Sequence, residues 1–357
     1  MKVIQLVPSL YYGDAVGNDV LALDDAMKRA GIETKIYAQY IEPRCKGRAE
    51  DWTRFRGASR DDVVIYHMAS GAGMADGFAK LSCKRLLFYH NVTPKAFFEP
   101  YSLETVKAVQ LGLDQAKYLA AHTDYCLADS EFNRQDLLAM GYKCPIEVLP
   151  ILIPFADYEK EPNQEIVRRM SDGRTNIVFT GRVAPNKCHE DILAAFDAYK
   201  RLCDAQARLI LVGNYDRKDP YYQRLADYVQ ALGVEDVLFT GHIAFDEILA
   251  YYRTADCFVC MSEHEGFCVP LVEAMFFDVP IVAYNSTAIP YTLGGAGLLV
   301  DEKDPVLVAK LIQRVVQDAH LREAVLQSQR IRLQAFAHDR IEAQFLSCLQ
   351  RLMEANA

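Results

Sequence analysis

Short runs of β-branched and aromatic residues alternate with stretches of helical period along almost the whole chain. In the first half the runs predict strands over residues 2–7, 34–38, 62–67, 84–89, 125–128 and 146–148. Between them the period of 3.6 predicts helices over 18–30, 103–120 and 131–140, the last with Ser130 as its N-cap. A polar, proline-containing stretch over 154–174 breaks this rhythm and reads as an interdomain linker with a helix over 164–170. A second series then opens, with strands over 176–180, 207–212, 237–240, 257–261, 280–284 and 297–300. Three amphipathic helices follow, over 306–317, 321–335 and 339–353. Strands that alternate with crossover helices build parallel sheets, so the fold class is α/β with two Rossmann-like domains. The predicted organisation is 1–160, 161–335 and a C-terminal helix over 336–357.

A chain of 357 residues exceeds the usual size of a single core, which agrees with two domains. A formal charge of -9 argues against nucleic acid as the main partner, because phosphate-backbone binding needs a basic face. No apolar run approaches the roughly 18 residues that span a bilayer, and the opening MKVIQLVPSL reads as a buried strand rather than a signal peptide. A cytoplasmic location is expected. The ten cysteines are scattered and fit reduced thiols better than a disulfide framework. Cys257 and Cys260 have the spacing of a redox or metal pair, but on a strand an offset of three puts them on opposite faces. The basic stretch over 44–60 is interspersed with acids, Trp52 and Phe55. It reads either as a solvated face or as a peripheral contact with the inner face of an anionic membrane.

The densest chemistry lies in Glu265-Gly-Phe-Cys-Val-Pro-Leu-Val-Glu273, where two carboxylates with seven residues between them bracket a turn and a helix start. Pro270 suits a first helical turn, and the amides of Gly266, Phe267, Cys268 and Val269 then form a phosphate nest at a helix N-terminus. Glu265 precedes the nest and Glu273 lies about two turns beyond, so one can address a sugar ring and the other a ribose. Arg182 and Lys187 stand after the strand over 176–180, placed to converge on an anion. Gly213 follows another strand and reads as a turn residue. In the first half, Tyr11-Tyr-Gly-Asp-Ala-Val-Gly17 joins a strand to a helix, and its Gly-x3-Gly is neither a dinucleotide fingerprint nor a P-loop. His67 and His90 both follow strands. A histidine in such a place is either a structural hydrogen-bonder or a ligand contact.

These motifs resemble those of the retaining glycosyltransferases of family 4, which have the GT-B fold. The resemblance covers nearly the whole chain and is most specific over 177–300. It implies two Rossmann-like domains facing across a cleft, with the last helix crossing back to the first. It implies that Glu265 contacts hydroxyls of the transferred sugar, that Glu273 hydrogen-bonds the nucleotide ribose, and that Arg182, Lys187 and the nest amides bind the diphosphate. The loop Gly241, His242 and Ile243 is implied to read the base through its backbone, Gly13 and Asp14 to approach the donor, and His90 to orient the sugar, with His67 secondary. Asp129-Ser-Glu-Phe is similar to a family segment at a strand end. Two departures stand out: the family's glycines after the lysine and after Glu-Gly-Phe are here Cys188 and Cys268.

The resemblance supplies no carboxylate nucleophile and no Asp-x-Asp metal motif. It therefore implies a front-face transfer with no cofactor and no metal, in which the leaving diphosphate takes the acceptor's proton. The loops Gly-Asp-Ala-Val, Tyr-His-Asn-Val-Thr-Pro and Val-Ala-Pro-Asn-Lys look most like those of bacterial mannosyltransferases of glycan biosynthesis. The expected partners are accordingly GDP-mannose, or a UDP-hexose, as donor and a glycan or lipid-linked glycan, as in lipopolysaccharide or other polysaccharide assembly, as acceptor. Two rivals stay open, a sugar-nucleotide epimerase and a sugar-nucleotide-binding protein without turnover.

Overall fold

The computed structural model describes residues 2–354, which form two compact units. One runs to Phe155 and takes in the chain again from Phe336; the other is Ala156–Ala335.

Among the described residues the first unit has a seven-stranded sheet of order β3-β2-β1-β4-β5-β6-β7. Its strands are β1 Val3–Leu10, β2 Thr34–Ile41, β3 Glu50–Asp51, β4 Val63–Met68, β5 Lys84–Tyr89, β6 Tyr125–Ala128 and β7 Ile146–Val148. Every pairing is parallel. The central strands are buried on both faces, which is why they read as unbroken apolar runs. One face is covered by Leu23 and Met27 from the helix Ala15–Arg29 and by Ile341, Phe345, Leu349 and Leu352 from the helix His338–Glu354. Lys84 donates to the carbonyls of Leu352 and Met353 at 2.7 and 2.6 Å, a cation on the last turn of that helix. The other face packs Val64, Tyr66 and Tyr89 against the helices Met74–Ala79 and Leu103–Leu119.

In the first unit β3 and the helix Met74–Ala79 have no counterpart in the sequence prediction, and in the second the helices Pro220–Leu232 and Ile289–Leu293 have none. The helix Met74–Ala79 carries Gly77, a poor helix former, and exists because tertiary packing overrides propensity. A Cβ on Gly77 would sit 3.0 Å from the Trp52 ring. Trp52 stacks on Phe55 at 5.1 Å, and both pack against the core beneath them.

The second unit has, among the described residues, a six-stranded parallel sheet of order β10-β9-β8-β11-β12-β13. Its strands are β8 Asn176–Thr180, β9 Arg208–Val212, β10 Val237–Gly241, β11 Cys257–Cys260, β12 Ile281–Tyr284 and β13 Leu298–Val300. Most of the stretch read as a linker is part of this unit. The helix Gln164–Met170, capped by Asn163, packs Ile166 and Met170 onto Val178, Ile210 and Tyr251. Two apolar residues four apart suffice for one helical stripe, so the helix falls on the residues predicted for it. No helix among the described residues is long and apolar enough to cross a membrane.

In each sheet the strand order reverses at one place, between β1 and β4 in the first unit and between β8 and β11 in the second. Loops leaving the carboxyl ends of strands diverge at such a point and open a crevice, where α/β proteins bind ligands.

Candidate functional site

The switch point of the second unit lies between the loop after β8 and the loop after β11, and two side chains meet there. Lys187 donates to both oxygens of Glu265 at 2.6 Å. The lysine side chain is 22% exposed and the carboxylate 7%, so the pair is covered on one side and open on the other. Burial pulls the Lys187 ammonium down, but the Glu265 carboxylate more than offsets this and holds its pKa above the ordinary value. Backbone bonds brace the two loops together. Asn186 donates to the carbonyl of His264 at 2.9 Å, its own carbonyl takes the Glu263 amide at 2.9 Å, and Thr287 accepts from the Glu265 amide at 2.9 Å. Burial lowers the His264 imidazole to about 4, so it is neutral beside the ion pair. Asn186, His264 and Thr287 carry no motif of their own; their signal in the sequence is only adjacency to Lys187 and Glu265. Arg182 lies exposed on the same loop with no carboxylate partner among the described residues.

The helix Val269–Phe276 begins as predicted, with Pro270 in its first turn. The first N–H groups of an α-helix have no carbonyl one turn back, and this helix opens next to the ion pair, the Cys268 thiol lying within 4.8 Å of the Glu265 carboxylate. Cys268 has φ 70° and ψ 67°, and Cys188, which precedes the helix His189–Leu202, has φ 50° and ψ 52°. Both are left-handed positions where a Cβ is disfavoured, which is why glycine suits them. Both cysteines are buried, so each side chain has packing to set against that strain. A related constraint acts one strand over, where a Cβ on Gly213 would fall 2.0 Å from the carbonyl oxygen of Gly181. Gly213 is therefore a close-approach glycine that lets the loops after β8 and β9 touch. Gly241 ends β10 at φ 72°, and the chain leaves through exposed His242 and half-buried Ile243.

Glu273 lies about one turn into the helix, and its two oxygens accept separately from Tyr158 at 2.9 Å and Tyr252 at 2.6 Å. Burial raises its pKa, and the two hydroxyls work against that rise. The sequence gave no sign of either tyrosine, because they come from elements 115 and 21 residues away.

The switch point of the first unit is built differently. Gly13, at φ 92°, donates to Asn18, and Asp14 accepts from the Gly17 amide as N-cap of the helix Ala15–Arg29. Gly17 is obligatory, since a Cβ there would lie 1.9 Å from the Tyr11 carbonyl oxygen. His67, which lies inside β4 rather than after it, and His90, the residue after β5, form a buried chain. Gln5 donates through its amide to the Val20 carbonyl and so turns its oxygen to His67 Nε2 at 2.9 Å. His67 Nε2 must then carry a proton and Nδ1 a lone pair, which faces His90 Nε2 at 2.9 Å. His90 Nδ1 meets both oxygens of Asp129 at 3.1 and 3.0 Å. His90 is thus a donor at both nitrogens, an imidazolium between a neutral histidine and a carboxylate. Burial would discharge it, and Asp129 offsets burial and holds its pKa above the ordinary value, while burial pushes that of His67 well down. The imidazole expected to orient a sugar is thus spent on hydrogen bonds within the unit. Its side chain is 1% exposed and both nitrogens are engaged inside the unit.

Among the described residues, three groups of side chains are close enough to share a cation: Asp19, His67 and His90; Cys260, Glu265 and Cys268; Cys188, Asp191 and Glu263. In each the place is already taken by positive charge of the chain itself. The first contains the His90 proton, Lys187 sits on Glu265 in the second, and Lys303 bridges Asp191 and Glu263 at 2.7 and 2.8 Å in the third.

Comparison with known proteins agrees with this geometry. A GDP-mannose-dependent alpha-(1-6)-phosphatidylinositol monomannoside mannosyltransferase of Mycobacterium tuberculosis is 26% identical over 232 residues, 61% of this chain and 57% of the relative. The O-antigen chain mannosyltransferase B of Escherichia coli is 26% identical over 222 residues, 61% of this chain and 56% of the relative. The chain thus spans a little over half the length of the curated relatives it matches. Among solved structures, Anabaena HepE in complex with UDP and glucose superposes with a TM-score of 0.77 at 19% identity, covering 98% of this chain and 99% of that one. At that identity the likeness speaks for the fold, which is GT-B. Residues 174–318, which hold Arg182, Lys187, Glu265 and Glu273, match the family described as Glycosyl transferases group 1, and this chain carries a domain of that family.

Proposed function

We propose that the protein is a retaining hexosyltransferase that moves mannose from GDP-mannose to a hydroxyl of a glycan or lipid-linked glycan. The observation that carries this reading is the Lys187–Glu265 pair beside the amides of a helix N-terminus. An ammonium has three N–H donors, two of which Glu265 takes, leaving one for a phosphate oxygen. Glu265, fixed by that lysine and by Thr287, keeps acceptor capacity for sugar hydroxyls. As the glycosidic bond to the diphosphate breaks, charge grows on the leaving oxygens, and Lys187, Arg182 and the nest amides from Gly266 to Val269 stabilise it where it develops. Glu273 holds the ribose, while Gly241, His242 and Ile243 line the base. The acceptor hydroxyl attacks on the face the diphosphate leaves and passes it a proton. With this positive charge in place, the leaving group needs no metal.

Two mannosyltransferases among the relatives support mannose, and the one named as GDP-mannose-dependent supports GDP. The UDP and glucose in the HepE complex support a second reading, a UDP-hexose donor on the same machinery. Thermal stabilisation by GDP, UDP and their sugars, without added metal, tests both. A shift selective for GDP and GDP-mannose is expected; a UDP-selective shift moves the assignment to the second reading, and no shift with any nucleotide defeats both. Within a responding enzyme, Glu273→Ala is expected to weaken donor binding and Glu265→Ala mainly to lower turnover. Equal effects on affinity and rate in the two variants would refute these roles.

A further inference from the structure

The carboxylate of Glu273 is held from two directions by tyrosines that no motif announces. Tyr158 and Tyr252 each donate a hydroxyl hydrogen to a different oxygen, at 2.9 and 2.6 Å. Tyr252 lies on the helix Phe245–Arg253, whereas Tyr158 ends the short helix Phe155–Tyr158 at the very start of the second unit. Neither ring is free to swing. Tyr252 stacks on Phe277 at 5.1 Å with planes 12° apart, and Tyr158 meets Phe276 edge-on at 5.4 Å and Phe245 at 6.0 Å. The backbone carbonyl of Tyr158 is in turn held by Arg253 at 3.2 Å. The tyrosine side chains are buried, while Glu273 itself is half-buried.

An ionised carboxylate has about four lone-pair sites and no proton to give. Two are filled here, one on each oxygen, which leaves one acceptor site on each side by side. A pair of adjacent acceptors, fixed in direction, matches a vicinal diol, whose two hydroxyls both donate. The two tyrosines also counter the burial that would otherwise put a proton on the carboxyl and remove an acceptor. Accepting hydrogen bonds in a fixed geometry lowers the ordering cost of binding, since the carboxylate no longer has to be oriented by the ligand.

We propose that Tyr158 and Tyr252 are positioning residues that set the Glu273 carboxylate as a two-point acceptor for the cis-diol of the donor's ribose, and so make the site selective for ribonucleotides over deoxyribonucleotides. This rests on the reading of Glu273 as the ribose contact. Because Tyr158 belongs to the first residues of the second unit, ribose recognition also draws on a segment far from the Glu273 motif in sequence.

The test compares dissociation constants of the full-length chain and its Tyr158→Phe and Tyr252→Phe variants for whichever of GDP and UDP binds, and for the 2′-deoxy and 3′-deoxy forms of that nucleotide. Wild type is expected to prefer the ribonucleotide by about 10-fold or more, the scale of a hydrogen bond to a charged group. Each phenylalanine variant is expected to lose about 5- to 10-fold in affinity for the ribonucleotide and to bind the deoxy forms as wild type does, so that the selectivity collapses. A variant that loses the same factor for ribo- and deoxynucleotides has only been loosened, and that outcome overturns the proposal, as does a variant with unchanged ribonucleotide affinity. Melting temperatures of the unliganded variants guard against misfolding, and retention of selectivity by Tyr252→Phe alone would leave Tyr158 as the sole positioning residue and refute the two-point form. If wild type binds the ribonucleotide but does not distinguish the deoxy forms, the ribose reading of Glu273 fails; if it binds no nucleotide, the transferase reading fails first.

Discussion

The two sheets share one topology and place polar residues at the same topological point, yet they use them in opposite ways. At the ends of β4, β5 and β6 of the first unit, His67, His90 and Asp129 are joined end to end and closed off by Gln5, with every ring nitrogen engaged inside the unit. After β8 and β11 of the second, Lys187 and Glu265 pair but remain open on one side, Arg182 is exposed, and a helix start offers its amides. The two histidines are thus spent on hydrogen bonds inside the chain, while Lys187, its side chain 22% exposed, keeps one side of its pair with the buried Glu265 accessible. Position at a switch point identifies where chemistry is possible. The completeness of hydrogen bonding within the chain separates chemistry from scaffolding.

The sharpest way to test that contrast is to injure each network and see which property suffers. Asp129→Asn leaves the buried His90 imidazolium without its counter-charge, and removing one partner of a buried pair costs about 3–5 kcal/mol. Chemical denaturation should record a loss of that size, and a variant of wild-type stability would place His90 among the ligand-facing groups after all. Lys187→Ala should do the reverse. A turnover loss of about 100- to 1,000-fold is expected, the scale of one lost transition-state donor, with a smaller change in melting temperature. Normal turnover in this variant would remove the central observation behind the proposed function.

A buried histidine in the second unit sharpens the comparison through pH. His189 has no hydrogen-bond partner on either ring nitrogen, and burial lowers it to about 3. Its folded pKa lies below its unfolded value, so its neutral burial costs nothing above pH 6.5, and stability is lost as pH falls below that toward 3. Between pH 6.5 and 5 the loss from this group alone should be roughly 2 kcal/mol, and His189→Phe should flatten that part of the profile. An unchanged slope would show that His189 keeps a proton partner. The smallest effect is expected at Cys268→Gly. Relief of the left-handed strain, about 1 kcal/mol, is set against lost packing of a buried thiol and the greater chain entropy of glycine. Net stability should stay within about 1 kcal/mol of wild type, with donor affinity unchanged. A large loss of affinity would mean that the thiol, and not only the backbone, shapes the nest.

Much of the fold was legible because periodicity reports local faces. β5, β6, β7, β8 and the helix Gln164–Met170 fall on the predicted residues, and Ser130 caps its helix. The Glu265 to Glu273 segment and its helix start were legible for the same reason, since their geometry is local. What stayed hidden depends on partners distant in sequence. Nothing around Gln5 announces His67, 62 residues on, and nothing in a polar stretch announces that Tyr158 will reach Glu273. The aromatic pair Trp52 and Phe55 could be read outward or inward, and only the space left over Gly77 decides for inward.

The place of Tyr158 has a practical side for anyone who wishes to study the second unit as a separate polypeptide. A fragment starting at residue 161, the boundary that composition suggests, would delete this tyrosine together with the carbonyls of Tyr158 and Lys160 that hold Arg253. Such a fragment would keep the whole Glu265 to Glu273 motif and still lack half of what orients Glu273. A start a few residues upstream of Phe155 retains it, so the usable domain border is set by one hydroxyl rather than by the change in composition.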